Sequence, residues 1–266
     1  MSELSRRAYA RLCHVAALVS MAYLAGFIAD VVVPKSVDRG AGPLGPALPI
    51  DLSLLVLFGV QHSGMARRRF HDGWAARLPA SLERASYVLA TAAVLALLFW
   101  LWQPLPRLVV ELTAAWAVAL AWLLFGGGWA LIAAATLSLG AAELFGLAQA
   151  RRTAPRPEVL LTPWLYRRVR HPLQAGIVLV LWATPSLTLG HALLAGGFST
   201  YIALGIHYEE RELLRTFGKA YAEYRERVPA LLPCLPGLPR AWSRAIAIAA
   251  LATLALLLLQ TPQPSG

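Results

Sequence analysis

Residues 114–138 read AAWAVALAWLLFGGGWALIAAATLS, a run of 25 residues that contains no charged side chain. About 20 consecutive apolar residues are enough to carry an α-helix across the hydrocarbon core of a bilayer. Comparable runs recur along the chain, and they predict membrane spans at 12–33, 48–66, 82–102, 114–138, 173–189, 191–208 and 242–260. The sequence therefore predicts an all-α, polytopic integral membrane helical bundle of about seven spans.

The connections between these spans carry their own signals. The fifth and sixth spans are short and meet at Leu189-Gly190, which predicts a helical hairpin. Gly126-Gly127-Gly128 in the fourth span favours close packing of neighbouring helices. We expect 139–150 to continue the fourth helix out of the membrane, and 34–49, which is rich in Gly and Pro, to be an irregular connection.

The composition excludes an ordinary soluble fold. Hydrophobic residues make up 58% of the 266 residues and charged residues 14%, against about 25% charged in a typical globular protein. The two cysteines, Cys13 and Cys234, predict neither a disulfide framework nor a metal site. We expect a single membrane domain over 1–266. Its predicted parts are four helices at 12–150, a hairpin with an amphipathic lid at 160–235, and an extra C-terminal helix at 242–260.

The positive charge, +10 overall, is concentrated on alternate loops. Of the 24 Lys and Arg residues, 21 fall in the segments 1–11, 67–84, 151–172 and 209–244. Cytoplasmic loops of membrane proteins carry such an excess, so we expect a cytosolic N-terminus. The partner indicated is a lipid bilayer, and no nucleic acid is expected. The first apolar run is too long for the core of a signal peptide, which favours a retained span.

Polar side chains at membrane depth cost free energy, so the polar residues of the second predicted span require a structural or functional explanation. Gln61 and His62 lie about one turn before the basic run Arg67-Arg68-Arg69. One interpretation is a hydrogen-bonded pair that anchors the helix at the membrane interface. The other is the lining of a cavity that faces the cytosol. Both interpretations are open at this point.

A second polar group directly precedes the fifth predicted span, and it reads YRRVRHP over residues 166–172. Pro172 suits the first position of a helix. Cations are electrostatically disfavoured at a helix N-terminus, whereas anions are stabilised there. Arg170 and His171 at this position therefore favour an anionic ligand, such as a carboxylate held by two parallel hydrogen bonds. For Arg167 and Arg168, a plain cytosolic flank is the favoured interpretation.

A third polar group, Glu209-Glu210, ends the sixth predicted span. The apolar residues that follow have the spacing of an amphipathic helix, and they are Leu214, Phe217, Tyr221, Tyr224 and Val228. Such a helix can lie on the membrane surface or fold back as a lid. Carboxylates at one end of the hairpin and Arg170 and His171 at the other place both charge types at one mouth. That arrangement suits a zwitterionic ligand.

Both motifs resemble a known family signature. Residues 170–176, RHPLQAG, are similar to the RHPxYxG motif of the isoprenylcysteine carboxyl methyltransferase-like superfamily, and 209–233 resembles the second half of the same signature. This superfamily includes prenylcysteine, phospholipid and small-thiol methyltransferases, sterol reductases and NnrU-type proteins. Gln174 stands where the motif has Tyr, which puts one cofactor contact in doubt.

Three further segments indicate which members of the superfamily the chain resembles most. Residues 60–67, VQHSGMAR, resemble a segment shared by NnrU proteins and methanethiol S-methyltransferases. Residues 181–191, LWATPSLTLGH, and 98–104 are similar to the latter family. The resemblance implies an enzyme that methylates methanethiol to dimethyl sulfide with S-adenosylmethionine. Two alternatives stay open: a methyltransferase with a lipid or prenylcysteine acceptor, and a non-enzymatic NnrU-like membrane protein.

The resemblance, together with charge complementarity, implies roles on the cofactor side. Arg170 and His171 are assigned to the carboxylate end of S-adenosylmethionine, and Glu209 and Glu210 to its amine or ribose. The residues expected at the cofactor are Tyr166, Arg170, His171, Pro172, Gly176, Glu209, Glu210, Tyr221 and Tyr224. Tyr221 and Tyr224 are expected to cover the adenine or to close a lid.

On the acceptor side, the expected substrate is a small volatile thiol. His62, with Gln61 beside it, is the first candidate for a base that takes the thiol proton, because histidine titrates near neutrality. Trp182 and His207 are expected in the substrate pocket, with His207 as the second candidate base, whereas His191 is expected to be structural. We expect a multi-pass protein of a bacterial inner membrane whose active site faces the cytosol.

Overall fold

The computed structural model describes residues 2–39, 44–67, 73, 79–151 and 159–232. The predicted C-terminal span at 242–260, Cys234, and Pro233 of the signature lie outside the described residues. The helices are α1 (Glu3–Ala29), α2 (Leu44–Met65), α3 (Ala80–Leu101), α4 (Ala115–Leu139), α5 (Ala141–Leu144), α6 (Pro172–Trp182), α7 (Leu189–Phe217) and α8 (Lys219–Arg227). The described part of the fold also contains a 3-10 helix (Gln149–Arg151) and two short strands, β1 (Leu108–Glu111) and β2 (Ser186–Thr188).

Five helices in the described part of the chain are long and apolar enough to cross a membrane: α1, α2, α3, α4 and α7. The predicted helical membrane bundle is thereby confirmed. The bounds differ from the prediction at α1, which begins at Glu3 rather than residue 12 because the Ser2 hydroxyl accepts a hydrogen bond from the Ser5 N–H and caps the helix. It ends at Ala29, where Asp30 has the left-handed conformation.

The fifth predicted span is only partly helical. Helix α6 ends at Trp182, and residues 183–185 lead into β2. Eleven helical residues cover about 16 Å, less than the thickness of the hydrocarbon core of a bilayer. The prediction of one continuous helix over 173–189 is therefore wrong. Pro185 explains the break, because proline disfavours a helical conformation in the residue before it.

Loops after α1, α3 and α6 meet at one end of the bundle, which we call the opposite end. There β1 pairs antiparallel with β2, with Leu108 opposite Thr188. The Thr188 hydroxyl donates to the Asp38 carboxylate, and the Trp102 indole N–H donates to the Val37 carbonyl at 3.2 Å. His191 is 1% exposed here and donates to the Leu181 carbonyl at 2.9 Å, as expected of a structural residue.

The other end, which we call the basic end, holds the start of α1, α3 and α6 and the end of α2, α4 and α7. The prediction that 139–150 prolongs α4 is wrong. Gly140 ends α4 with a φ of +90°, and the chain turns back so that Ala150 packs against Cys13 of α1 and Ala85 of α3. The returning chain approaches α3 closely at Gly146, where a Cβ would lie 2.6 Å from the Ala85 nitrogen. Only glycine fits at this position.

Helices α4 and α6 pack through two glycines. A Cβ on Gly128 would lie 2.7 Å from Val180 Cγ2, and one on Gly176 would lie 2.9 Å from the Gly128 carbonyl oxygen. The predicted close packing at the glycine triplet is thus confirmed for Gly128, whereas Gly126 and Gly127 are exposed and face open space. Gly176 is expected at the cofactor, but in the structure it faces α4. The residue is glycine because only glycine permits this close approach of the two backbones.

The amphipathic helix predicted from Leu214 to Val228 is divided at Gly218. This glycine has φ +53° and ψ −123°, a conformation that other residues rarely adopt, and it turns the chain from α7 into α8. The break allows α8 to fold back on the segment before α6 instead of continuing along α7.

We expect Gly218→Ala to destabilise the fold by about 1–3 kcal/mol, because alanine is strained at this φ and ψ. Thermal unfolding in detergent measures the effect. Gly196→Ala is the matched control, since Gly196 lies inside α7 and a Cβ added there would have no neighbour within 4 Å. The control should be neutral or slightly stabilising, and equal melting temperatures for both variants would contradict the strain argument.

Candidate active site

The core of the site is an ion cluster that joins the start of α6 to α7. Arg170 donates to Glu210 Oε1 from Nε at 2.8 Å and from Nη2 at 2.6 Å. His171 Nε2 lies 3.1 Å from the same oxygen. The three side chains are only 10%, 14% and 4% exposed for Arg170, Glu210 and His171. A buried charge needs a partner, and Arg170 and Glu210 are each other's partner.

Arg170 also holds α8 in place. Its Nη1 donates to the carbonyl of Arg225 at 2.9 Å and to that of Val228, so the guanidinium caps the C-terminus of α8. The backbone N–H groups of Arg170 and His171 donate to the carbonyls of Pro229 and Ala230 at 2.8 and 2.9 Å. The two signature motifs are therefore joined to each other. With all three guanidinium nitrogens engaged, the geometry favours a positioning role for Arg170 over direct contact with a cofactor carboxylate.

Glu209 differs from its neighbour. Its side chain is 50% exposed. Its Oε2 is 3.7 Å from His171 Nδ1 and accepts a long hydrogen bond of 3.4 Å from the Gln174 amide. Glu209 therefore keeps capacity to accept hydrogen bonds from a ligand, and Gln174, which replaces the family tyrosine, contacts this carboxylate.

Three tyrosines pack behind the ion cluster. The Tyr224 hydroxyl donates to the Tyr166 carbonyl. Burial raises the pKa of Tyr166 and the pKa of Tyr224 to about 12, and burial also raises the pKa of Tyr221. All three hydroxyls are thus neutral at physiological pH. The Tyr221 hydroxyl is buried and has no hydrogen-bond partner among the residues that the structure describes, which leaves a neutral donor beside Glu209 and Glu210.

His62 lies in an aromatic cluster between α2, α3 and α7. Its Nε2 is 2.6 Å from the Tyr87 hydroxyl and its Nδ1 is 3.1 Å from Thr91 Oγ1. Phe58 stacks on the imidazole at a centroid distance of 5.2 Å, and Tyr201 meets it edge-on at 6.0 Å. Both ring nitrogens are engaged, so the geometry does not favour His62 as a base that contacts the thiol directly.

Gln61 is oriented within its own helix. Its amide donates to Met65 Sδ at 3.2 Å. Its Oε1 is buried and has no partner in the described ranges of the chain. Gln61 therefore retains one acceptor that a ligand can use.

Trp182 and His207, both expected in the substrate pocket, make the following contacts. The Trp182 indole donates to the Ser199 hydroxyl at 3.0 Å and packs on the core that contains Phe58 and Phe198, so it supports the aromatic cluster from behind. His207 is exposed on α7 and contacts the Tyr208 ring at 5.5 Å. Among the described residues, the aromatic rings that contact His62 are those of Phe58, Tyr87 and Tyr201, and His207 is not among them.

The aromatic cluster around His62 and the ion cluster around Glu210 both lie toward the basic end. The Glu209 carboxylate lies within electrostatic range of the Tyr87 and Tyr166 hydroxyls. The Ser63 hydroxyl donates to Tyr201 Oη at 3.2 Å and ties α2 to α7. Sequence reasoning missed Tyr87, Thr91 and Tyr201, because a tyrosine or threonine in an apolar run carries no signal that distinguishes a site from a membrane interface.

Comparison with known proteins shows the family. The chain is 41% identical over 230 residues to a methanethiol S-methyltransferase of Pseudomonas sp. (strain GM41(2012)), covering 85% of this chain and 88% of the relative. It is 43% identical over 237 residues to methanethiol S-methyltransferase 2 of Bradyrhizobium diazoefficiens, covering 85% and 89%. The methanethiol S-methyltransferase of Mycobacterium tuberculosis is 41% identical, covering 85% and 94%.

A second, more distant similarity is to nurim. Human nurim is 34% identical over 175 residues, which cover 61% of this chain and 66% of nurim. No family model matches the chain, and no solved structure matches it. The identity to several methyltransferases over most of both chains confirms the resemblance read from the motifs and overturns the non-enzymatic alternative. The chain is an enzyme that belongs to the methanethiol S-methyltransferase family of membrane proteins.

Proposed function

We propose that this chain transfers a methyl group from S-adenosylmethionine to methanethiol and releases dimethyl sulfide. The observation that carries the proposal is the identity of 41–43% to proteins named methanethiol S-methyltransferase over 85% of the chain. The reaction takes place at a mouth between α2, α3, α6 and α7. The concentration of Lys and Arg at the basic end supports a cytosolic orientation of that mouth.

The donors and acceptors at the mouth fit the proposed cofactor. When bound, S-adenosylmethionine supplies an electrophilic methyl group on a positively charged sulfur. Glu209, half-exposed and weakly bonded, can accept hydrogen bonds from its amino group or ribose hydroxyls, and the unpartnered Tyr221 hydroxyl can donate one. Arg170, His171 and Glu210 hold these groups in place. The residues that build the proposed cofactor site are Tyr166, Arg170, His171, Pro172, Glu209, Glu210, Tyr221 and Tyr224. Gly176 contributes only by setting the close approach of α6 to α4.

The acceptor is held at the aromatic cluster around His62. Methyl transfer is an in-line displacement, so the thiol sulfur has to be placed against the methyl carbon and aligned with the leaving sulfur. Phe58, Tyr87 and Tyr201 surround the imidazole at centroid distances of 5.2, 4.9 and 6.0 Å. This dense packing favours a small acceptor over a lipid or prenyl chain. A small apolar thiol can reach the cluster from the bilayer.

The proposal predicts dimethyl sulfide in the headspace of membranes that contain this chain and receive methanethiol and S-adenosylmethionine. With an isotopically labelled methyl group on the cofactor, the label should appear in dimethyl sulfide, and S-adenosylhomocysteine should form in equal amount. Membranes without the chain are the control. A prenylcysteine and a phospholipid are offered in parallel. Absence of labelled product together with absence of cofactor binding by calorimetry would overturn the proposal. Methylation of the prenylcysteine or the phospholipid alone would identify that molecule, in place of methanethiol, as the acceptor.

A further inference from the structure

The hydrogen bonds around His62 run in one direction. The Thr91 hydroxyl donates to the Tyr87 carbonyl at 3.0 Å, and a carbonyl can only accept. Thr91 Oγ1 has then used its single proton, so it accepts from His62 Nδ1 at 3.1 Å. A neutral imidazole with a proton on Nδ1 has an acceptor at Nε2. The 2.6 Å contact is therefore a hydrogen bond from the Tyr87 hydroxyl to His62 Nε2.

This order leaves Tyr87 at the outer end of the chain. His62 has no nitrogen left for a thiol, whereas the Tyr87 oxygen has donated its proton and still carries lone pairs that can accept another. The Tyr87 oxygen is thus the atom of this hydrogen-bonded chain that can still accept a proton from a ligand.

We infer that Tyr87 is the catalytic residue that contacts the acceptor thiol, and that His62 takes the proton through it; this rests on the proposed function. The thiol S–H bond breaks as its proton passes to the Tyr87 oxygen. The original Tyr87 proton passes to His62 Nε2, so Tyr87 is unchanged and His62 becomes an imidazolium. The thiol sulfur forms its bond to the methyl carbon as the bond from that carbon to the leaving sulfur breaks. His62 returns the proton to water through Tyr87 after the product leaves.

Charged and titratable groups of α3 and α7 lie near the relay. On α3, the Arg84 guanidinium lies 5.1 Å from the Tyr87 ring centroid and is fixed by a 2.8 Å hydrogen bond to the Leu144 carbonyl. On α7, Tyr201 and Glu209 interact with the Tyr87 hydroxyl. Arg84 stabilises the negative charge that the Tyr87 oxygen carries while its proton moves. The same guanidinium disfavours the positive charge that results on His62, which promotes return of the proton after the product leaves.

Thr91 is a positioning residue in this relay. Its hydroxyl accepts from His62 Nδ1 in both the neutral and the protonated state, so it keeps Nε2 directed at Tyr87 throughout. The stacked Phe58 ring holds the imidazole plane from the other side. A threonine at this place therefore selects the tautomer that the relay requires.

The variant Tyr87→Phe separates the relay from direct catalysis by His62. If His62 contacts the thiol itself, removing the Tyr87 hydroxyl frees Nε2, and activity stays or rises. If Tyr87 is the contact, kcat/KM for methanethiol should fall about 100-fold at pH 7, with unchanged calorimetric affinity for S-adenosylmethionine. The deficit should shrink as the pH rises, because more of the thiol is then already ionised and needs no base.

Two further comparisons keep the inference testable. Tyr9→Phe is the control, because the Tyr9 hydroxyl bonds the Ser86 hydroxyl at 2.9 Å and takes no part in the relay. This variant should leave kcat/KM unchanged. Thr91→Val should lower kcat/KM about 10-fold or more, whereas Thr91→Ser, which keeps the hydroxyl, should have nearly wild-type kcat/KM. This pair of variants tests the relay even if Tyr87→Phe fails to fold. Wild-type activity in Tyr87→Phe, or equal activity of the two Thr91 variants, overturns the relay while the proposed function stands. A wild-type chain that forms no dimethyl sulfide overturns both.

Discussion

Replacing Glu210 with glutamine is expected to remove measurable methyltransferase activity and to destabilise the protein by about 3–5 kcal/mol, the usual cost of breaking a buried ion pair from one side. Glutamine keeps the shape of the side chain but removes its charge. Arg170, which is 10% exposed, is then left as a buried cation without its carboxylate. Because Arg170 also caps α8, we expect the packing of α8 on the site to loosen as well.

Glu209→Gln is the matched control for that change, since it alters the adjacent residue in the same way. Glu209 is 50% exposed and makes only a 3.4 Å hydrogen bond and a 3.7 Å contact, so stability should change by less than about 0.5 kcal/mol. If Glu209 binds the cofactor, its affinity should fall about 10-fold, as expected when a hydrogen bond to a charged group is weakened.

Thermal unfolding in detergent and calorimetry with S-adenosylmethionine distinguish the two carboxylates. We expect a large fall in melting temperature for Glu210→Gln alone and a loss of affinity without loss of stability for Glu209→Gln. Equal melting temperatures for the two variants would contradict the structural role of Glu210. A Glu209→Gln protein with undiminished cofactor affinity would remove Glu209 from the cofactor site.

Gly128→Val is expected to have the second large effect, about 3 kcal/mol of lost stability, at the upper end of the cost of overpacking. A Cβ at this position would lie 2.7 Å from Val180 Cγ2 and 3.0 Å from the Gly176 carbonyl oxygen. This carbonyl is part of the α6 backbone, so it cannot move without moving the helix. Helix α6 then has to move away from α4, and it carries Arg170 and His171 at its start, so activity should fall as well.

The glycine triplet supplies its own controls. Gly126→Val and Gly127→Val place a side chain where no neighbour lies within 4 Å, on the exposed face of α4. Each should change stability by less than about 0.5 kcal/mol. Melting temperatures and dimethyl sulfide formation of the three variants test the argument together. It fails if Gly128→Val behaves like the other two.

The apolar runs and the charge pattern were enough to predict most of the bundle. Long runs such as 114–138 define helices whichever residues they touch, because every backbone polar group in lipid has to be bonded within the segment. The motif resemblance likewise led to the family, since the RHP and Glu-Glu motifs are local. The prediction failed at Gly140, Pro185 and Gly218, where helices end or turn. The two glycines have a positive φ, and Pro185 disfavours a helical conformation in the residue before it. Hydropathy alone does not report these backbone conformations.

The roles inside the site were harder to predict for an electrostatic reason. Arg170 and Glu210 were both expected to meet a zwitterionic ligand, since their charges complement it. In the structure they meet each other, 2.6 Å apart. A charge removed from water is satisfied first by an opposite charge of the protein itself, and only the tertiary contact between α6 and α7 shows which of Glu209 and Glu210 is used in this way.

Hydropathy, charge distribution and two local motifs thus determined by themselves that the chain is a helical membrane protein of this methyltransferase family, because each depends on the order of residues alone. The tertiary structure decided how the functional groups are divided: Glu210 is paired and Glu209 is left half-exposed, and His62 donates to Thr91 and accepts from Tyr87. These assignments depend on which side chains from distant helices lie within hydrogen-bond distance, and hydrogen bonds act only at that range.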